Sequence, residues 1–251
     1  MPRPSVLHVG SRCRFVCDRR RSVSINPFLV LILPFVVLGF LAQMWVRSSF
    51  AKWSRVGTMR GLTGAEVAAT VLRDAGLSGV AIEPARGHAL SDHYDPRTRT
   101  LRLSGPVYSG RSVAAAAVAA HEAGHAIQHA QRYAPLVLRN AAVPLAISAD
   151  KVVGLLVMVG FMLMWMGAKA PALFLAAGII YGVAVFFALI TLPVEFNASR
   201  RAMAALTDSG VVVMQEQAGV RSVLAAAAST YVVAALMSVA NMLFYLALAR
   251  E

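Results

Sequence analysis

The sequence predicts a mainly α-helical integral membrane protein, with about four transmembrane helices and one polar region holding a small β-hairpin. Three observations carry this. Of the 251 residues, 58% are hydrophobic and only 14% charged, against roughly 25% charged in ordinary globular domains. The apolar excess gathers in four long runs, whereas buried core helices seldom stay apolar on every face for so long. Only one long stretch, roughly residues 47–140, has polar composition and short-period alternation.

Taken in order, residues 1–26 are a basic tail with six arginines. "PFLVLILPFVVLGFLAQMWV" (27–46) is the first span. Its apolar run exceeds that of a signal peptide and no small-x-small site follows it, so it is expected to be an uncleaved anchor. Region 47–140 begins with "LTGAEVAATVLRDAG", where Thr63 and Glu66 have capping-box spacing and Gly76 is placed to end the helix. "GVAIEP" (79–84) reads as a short strand, and "SDHYDPRTRTLRLSG" (91–105) as strand, turn at Asp95-Pro96, and strand. "GRSVAAAAVAAHEAGHAIQHAQRYA" (110–134) is an alanine-rich helix with Ser112 as its cap. Residues 141–193 form a transmembrane hairpin, its two spans joined by the short link Lys169-Ala170. Segment 194–221 is helical from Pro193 to about Leu206, and 222–251 is the last span with a short tail.

Several function classes recede at once. The formal charge of +12 is spread over the polar flanks of spans, with no aromatic-and-basic module, so nucleic acid is not an expected partner. The spans lack ionised residues near their midpoints, where transporters place coupling sites. Cys13 and Cys17, in "CRFVC", supply two thiols and neither a disulfide framework nor a full zinc site.

The chemistry lies in "AAHEAGHAIQHAQ" (119–131). His121 and His125 are four apart, so both imidazoles lie on one helix face, and Glu122 stands beside them as a base: the H-E-x-x-H pattern. Zinc suits such ligands and needs a third one from the protein. His129 cannot be that ligand on a continuous helix, being about 12 Å from His121 along the axis. Glu195 in "PVEFNAS" is the better candidate. Two crossings separate it from His125, which returns the chain to the same membrane face. A carboxylate at the end of a span otherwise needs a partner such as Arg200 or Arg201.

These residues, with "TGAEVA", "LSDHYDPRTRTLRLS", "YAPLVLRN" and "TLPVEFNASRRA", resemble the bacterial, membrane-bound neutral zinc metallopeptidases of the YugP type. The resemblance runs from about Pro27 onward; residues 1–26 have no counterpart in it. It implies a zincin-like catalytic region of gluzincin type, with Zn2+ held by His121, His125 and Glu195 and with Glu122 as general base. One departure stands out: the family pattern reads E-F-D-A-S, and this chain has Asn197 at the aspartate. An aspartate there that oriented a ligating histidine would leave Asn197 with the hydrogen bond but not the charge.

The expected activity is zinc-dependent endopeptidase hydrolysis of peptides or membrane-associated proteins at the bilayer surface. Strand 98–103 is expected beside the cleft, binding an extended peptide by strand addition. Candidates for the oxyanion helper are His93, Tyr94, Tyr133, Arg200 and Arg201. The resemblance implies a bacterial plasma (inner) membrane location. Arg47, Lys52, Arg55, Arg60 and the later arginines on that side favour a site facing the cytoplasm, while the six arginines of the tail pull the other way. The rival reading is a non-catalytic scaffold or chaperone-like protein that keeps the zincin fold, favoured by Asn197 and opposed by an intact Glu122.

Overall fold

The computed structural model describes residues 30–85 and 91–250. The basic tail, with Cys13 and Cys17, and the first residues of span one lie outside them. Among the described residues, the helices long and apolar enough to cross a membrane are α1 (Leu33–Trp53), α5 (Ala134–Trp165), α6 (Pro171–Asp208) and α7 (Met214–Leu248). Between α1 and α5 come α2 (Gly64–Asp74), β1 (Ala81–Pro84), β2 (His93–Asp95), β3 (Thr100–Leu103), the one-turn α3 (Gly105–Tyr108) and α4 (Val113–Ala130).

The local signals act as the sequence suggests. Thr63 Oγ1 accepts from the Glu66 N–H and Glu66 Oε2 from the Thr63 N–H, closing the capping box of α2. Gly76 takes φ +73° just past that helix, a region open to a residue without Cβ. Ser112 Oγ accepts from the Ala115 N–H and caps α4. The Asp95 carboxylate accepts from the Arg97 N–H, the Thr98 hydroxyl and Arg102, so the β2–β3 turn carries its own acceptor. Those bonds, led by the Arg97 N–H, hold its pKa down to about 2.

The sheet has three strands in the order β1-β3-β2, with β1 parallel and β2 antiparallel to β3. This corrects the role expected of strand 98–103. Both of its edges are occupied, so no peptide can add to it; β2 is the outer strand facing α4.

The polar region is built around α4. Its alanines 114–117, 119, 120, 123 and 126 are all buried. All of them but Ala115 share one core with Val67 and Val71 of α2, Leu101 and Leu103 of β3, Ala202 and Leu206 of α6, and Val220 and Val223 of α7. Small side chains on every face let four neighbours close on one helix. The membrane helices meet this core at their ends. α1 runs antiparallel to α7: Ile32 packs with Ala240 and Phe244 at one end, and Trp53 lies against Gly219 at the other. At 38 residues, α6 is nearly twice the length a bilayer requires, and it continues through Pro193. Its last turns therefore belong to the polar region.

α4 and α6 approach each other at backbone distance. A Cβ on Gly124 would sit 2.8 Å from the Ala198 carbonyl oxygen. Gly124→Ala gains about 1 kcal/mol of helix propensity but forces two backbones apart, a kind of overpacking that costs about 1–3 kcal/mol. The expected outcome is a lower melting temperature in detergent. Gly154→Ala, with nothing within 4 Å of the new methyl, should leave it unchanged or raised.

Candidate metal centre

Helix α4 sets His121, Glu122 and His125 on the side that meets α6, and α6 brings Glu195 to them. Glu195 is 2% exposed. Its Oε2 lies 3.3 Å from His121 Nε2 and 3.5 Å from His125 Nε2. The imidazoles stand edge to face at 4.8 Å between centroids, and the three donor atoms all fall within 4.8 Å of one another. Corners of a tetrahedron about 2 Å from a zinc ion are about 3.3 Å apart, so the donor set fits that metal in type and spacing. Glu195 makes no ion pair with Arg200 or Arg201 among the described residues.

The neighbouring groups decide which imidazole nitrogen faces the cluster. Gln128 is fully buried, and its side-chain nitrogen donates to the Val194 carbonyl at 2.8 Å and to Asn197 Oδ1 at 2.9 Å. A carbonyl can only accept, so the amide nitrogen must face Val194, and Oε1 is left for His125 Nδ1 at 3.0 Å. His125 then carries its proton on Nδ1 and turns the Nε2 lone pair to the cluster. Ser199 Oγ lies 3.2 Å from His121 Nδ1 in the equivalent position. Among the described residues Asn197 makes no hydrogen bond to either histidine: its Oδ1 accepts from Gln128 Nε2 and from Arg201 Nε.

Glu122 faces a cleft of about 170 Å³ lined by Asp92, His93, Tyr94, Pro96, His125, Leu136, Arg139, Asn140, Glu195 and Tyr231. The Tyr94 N–H of β2 donates to Glu122 Oε2 at 3.0 Å, which ties the carboxylate to the sheet. A second cavity of about 280 Å³, reaching Gln43 and Val46 of α1, shares Asp92, Glu122 and Tyr231. Burial raises the Asp92 carboxyl pKa, opposed by its bonds from the Ser104 N–H and hydroxyl and reinforced by the charge of Glu122.

Of the five candidates for the oxyanion helper, His93 and Tyr94 line the cleft. The Tyr94 hydroxyl is engaged with His129 Nδ1 at 2.9 Å, which is where His129 finds its partner. Arg201 stacks over the Tyr133 ring and bonds Gln131. Arg200 lines a different groove, between α6 and α7. Sequence reasoning missed Arg139 and Tyr231, which come from α5 and α7 and have no motif spacing to the histidines. It missed Gln128 and Ser199 as well. Gln128 was findable, standing three residues after His125 on the same face.

Gln128→Leu removes the acceptor for His125 Nδ1–H and the side-chain bond from α4 to the Val194 carbonyl. Zinc affinity, measured by chelator competition, should fall about 10- to 100-fold. Asn197→Asp keeps an oxygen for both donors and should leave the affinity unchanged.

The family model described as "Putative neutral zinc metallopeptidase" matches residues 28–250. The chain is also 46% identical over 217 residues to "Putative membrane protease YugP" of Bacillus subtilis (strain 168), covering 86% of this chain and 93% of that protein. No solved structure matches it. With four apolar helices and a histidine–histidine–carboxylate cluster of zinc-compatible spacing, the chain belongs to the membrane-bound neutral zinc metallopeptidase family.

Proposed function

We propose that this protein is a zinc-dependent endopeptidase of gluzincin type, with His121, His125 and Glu195 as metal ligands and Glu122 as general base. The observation that carries the reading is the convergence of a buried carboxylate from membrane helix α6 on two histidines of α4 in the polar region, with a second carboxylate beside them that the cluster does not need. A purely structural site has no use for Glu122.

Zinc held there supplies a lowered pKa for water and polarisation of the scissile carbonyl. The chain's own residues do the rest. Glu122 takes the proton from the attacking water as the new C–O bond forms, and delivers it to the amide nitrogen as the C–N bond breaks. The Tyr94 N–H donates to one oxygen of that carboxylate and limits its rotation. Arg139 and Tyr231 bring donors to the cleft wall. Arg139 Nε is buried with no hydrogen-bond partner among the described residues, which suits a group that waits for a substrate carbonyl. An extended peptide would pass along β2, the strand nearest the base. Placement at the end of the membrane helices favours membrane-associated proteins as substrates. The arginines flanking the spans on this side favour a cytoplasmic-facing site in a bacterial plasma membrane.

The scaffold reading drew on Asn197. That residue meets Gln128 and Arg201 rather than a histidine, so its missing charge bears only indirectly on the ligands.

Glu122→Gln should lower peptide hydrolysis about 10²- to 10⁴-fold while zinc content stays at the wild-type level. A fluorogenic protein substrate in detergent, beside elemental analysis of both proteins, checks both statements. Undiminished hydrolysis in the variant would remove Glu122 from the chemistry.

A further inference from the structure

Between α6 and α7, a groove of about 590 Å³ is lined by Phe196, Met203, Leu224, Ala225, Ala228 and Val232 together with Arg200 and Arg221. Its size falls within the usual range of ligand sites, about 300–1,000 Å³.

The two arginines are level with each other. α6 and α7 are antiparallel and joined by the short turn after Asp208. Arg200 stands eight residues before the end of α6 (208 − 200) and Arg221 seven after the start of α7 (221 − 214), so both are about 10–12 Å from the turn. From that level the apolar wall continues away from the turn, through Phe196 on one helix and Ala225, Ala228 and Val232 on the other. Val232 is about 16 Å beyond Arg221 along the axis. Both arginines are exposed, and neither makes an ion pair or hydrogen bond to any described residue. Two unpaired guanidiniums at one level of the same groove repel each other, and a shared anion relieves this.

We propose that this groove binds one anionic phospholipid, with its phosphate between Arg200 and Arg221 and an acyl chain along the trough toward Val232. The charge lies toward the polar region and the apolar wall runs toward the middle of the two long apolar helices, which is the polarity of a lipid and not of a free anion. Ser199 lines the groove and also faces His121 Nδ1, so the lipid would lie directly behind the metal centre.

The test is native mass spectrometry of the full chain in detergent, titrated with phosphatidylglycerol or with phosphatidylcholine of the same acyl chains. Two arginines near a membrane surface contribute about a thirtyfold preference for the anionic lipid, so wild type should bind phosphatidylglycerol at least about tenfold more tightly. Arg200→Gln/Arg221→Gln should lose that preference, and Arg200→Lys/Arg221→Lys, which keeps the charge, should retain most of it. Ala225→Phe, at an exposed position in the trough, should weaken binding with both arginines intact. Melting temperature and zinc content of each variant separate lost binding from lost fold. Equal binding of the two lipids by wild type would overturn the proposal. So would a preference that survives the double glutamine variant, or unchanged binding in Ala225→Phe. Displacement of phosphatidylglycerol by millimolar inorganic phosphate would assign the arginines to a free anion instead.

Discussion

The contact between α4 and α6 is the constraint on which the site depends. Gly124 has no side chain where Ala198 presents its carbonyl, and four residues on Gln128 reaches across to the Val194 carbonyl. The two helices are thus held at backbone distance by one missing methyl and one amide. Val194 immediately precedes Glu195, so the hydrogen bond that locks the helices also sets the height of the carboxylate against His121 and His125. The same amide presents its oxygen to His125. Packing, the placement of Glu195 and the imidazole tautomer are therefore coupled through a single buried glutamine.

The membrane hairpin serves this contact. α5 carries the chain away from the polar region and α6 brings it back, and an even number of crossings is the condition for Glu195 to meet α4 at all. α6 pays for its return with Pro193, which gives no N–H to the Leu189 carbonyl. In exchange, one uninterrupted helix spans the apolar layer and enters the polar core. Its buried residues pass from Phe174 and Ala177 among the membrane helices to Ala198, Ala202 and Leu206 against α4.

Much of this was legible in the sequence, because it rests on local or periodic signals. Thr63, Glu66 and Ser112 announce helix starts by their own side chains, the apolar runs announce spans by length, and a four-residue spacing puts His121 and His125 on one face. Glu195 was reachable because topology depends only on counting crossings. The remainder depends on which helices become neighbours, and no spacing encodes that. Arg139 and Tyr231 enter the cleft from helices that are remote in sequence. Strand 98–103 reads as a hairpin partner, yet its second edge is filled by β1 through a parallel pairing that alternation cannot reveal. Asn197 invited a direct bond to histidine, and the larger reach of Gln128 intervenes.

The central claim is that Glu195 completes a zinc site with His121 and His125. The most direct measurement is bound zinc per chain by elemental analysis, for wild type and Glu195→Ala purified identically in detergent without chelator. About one zinc in wild type, lost or much weakened in the variant, is the expected result. Zinc retained in full by Glu195→Ala would contradict the account and mean that another residue is the third ligand.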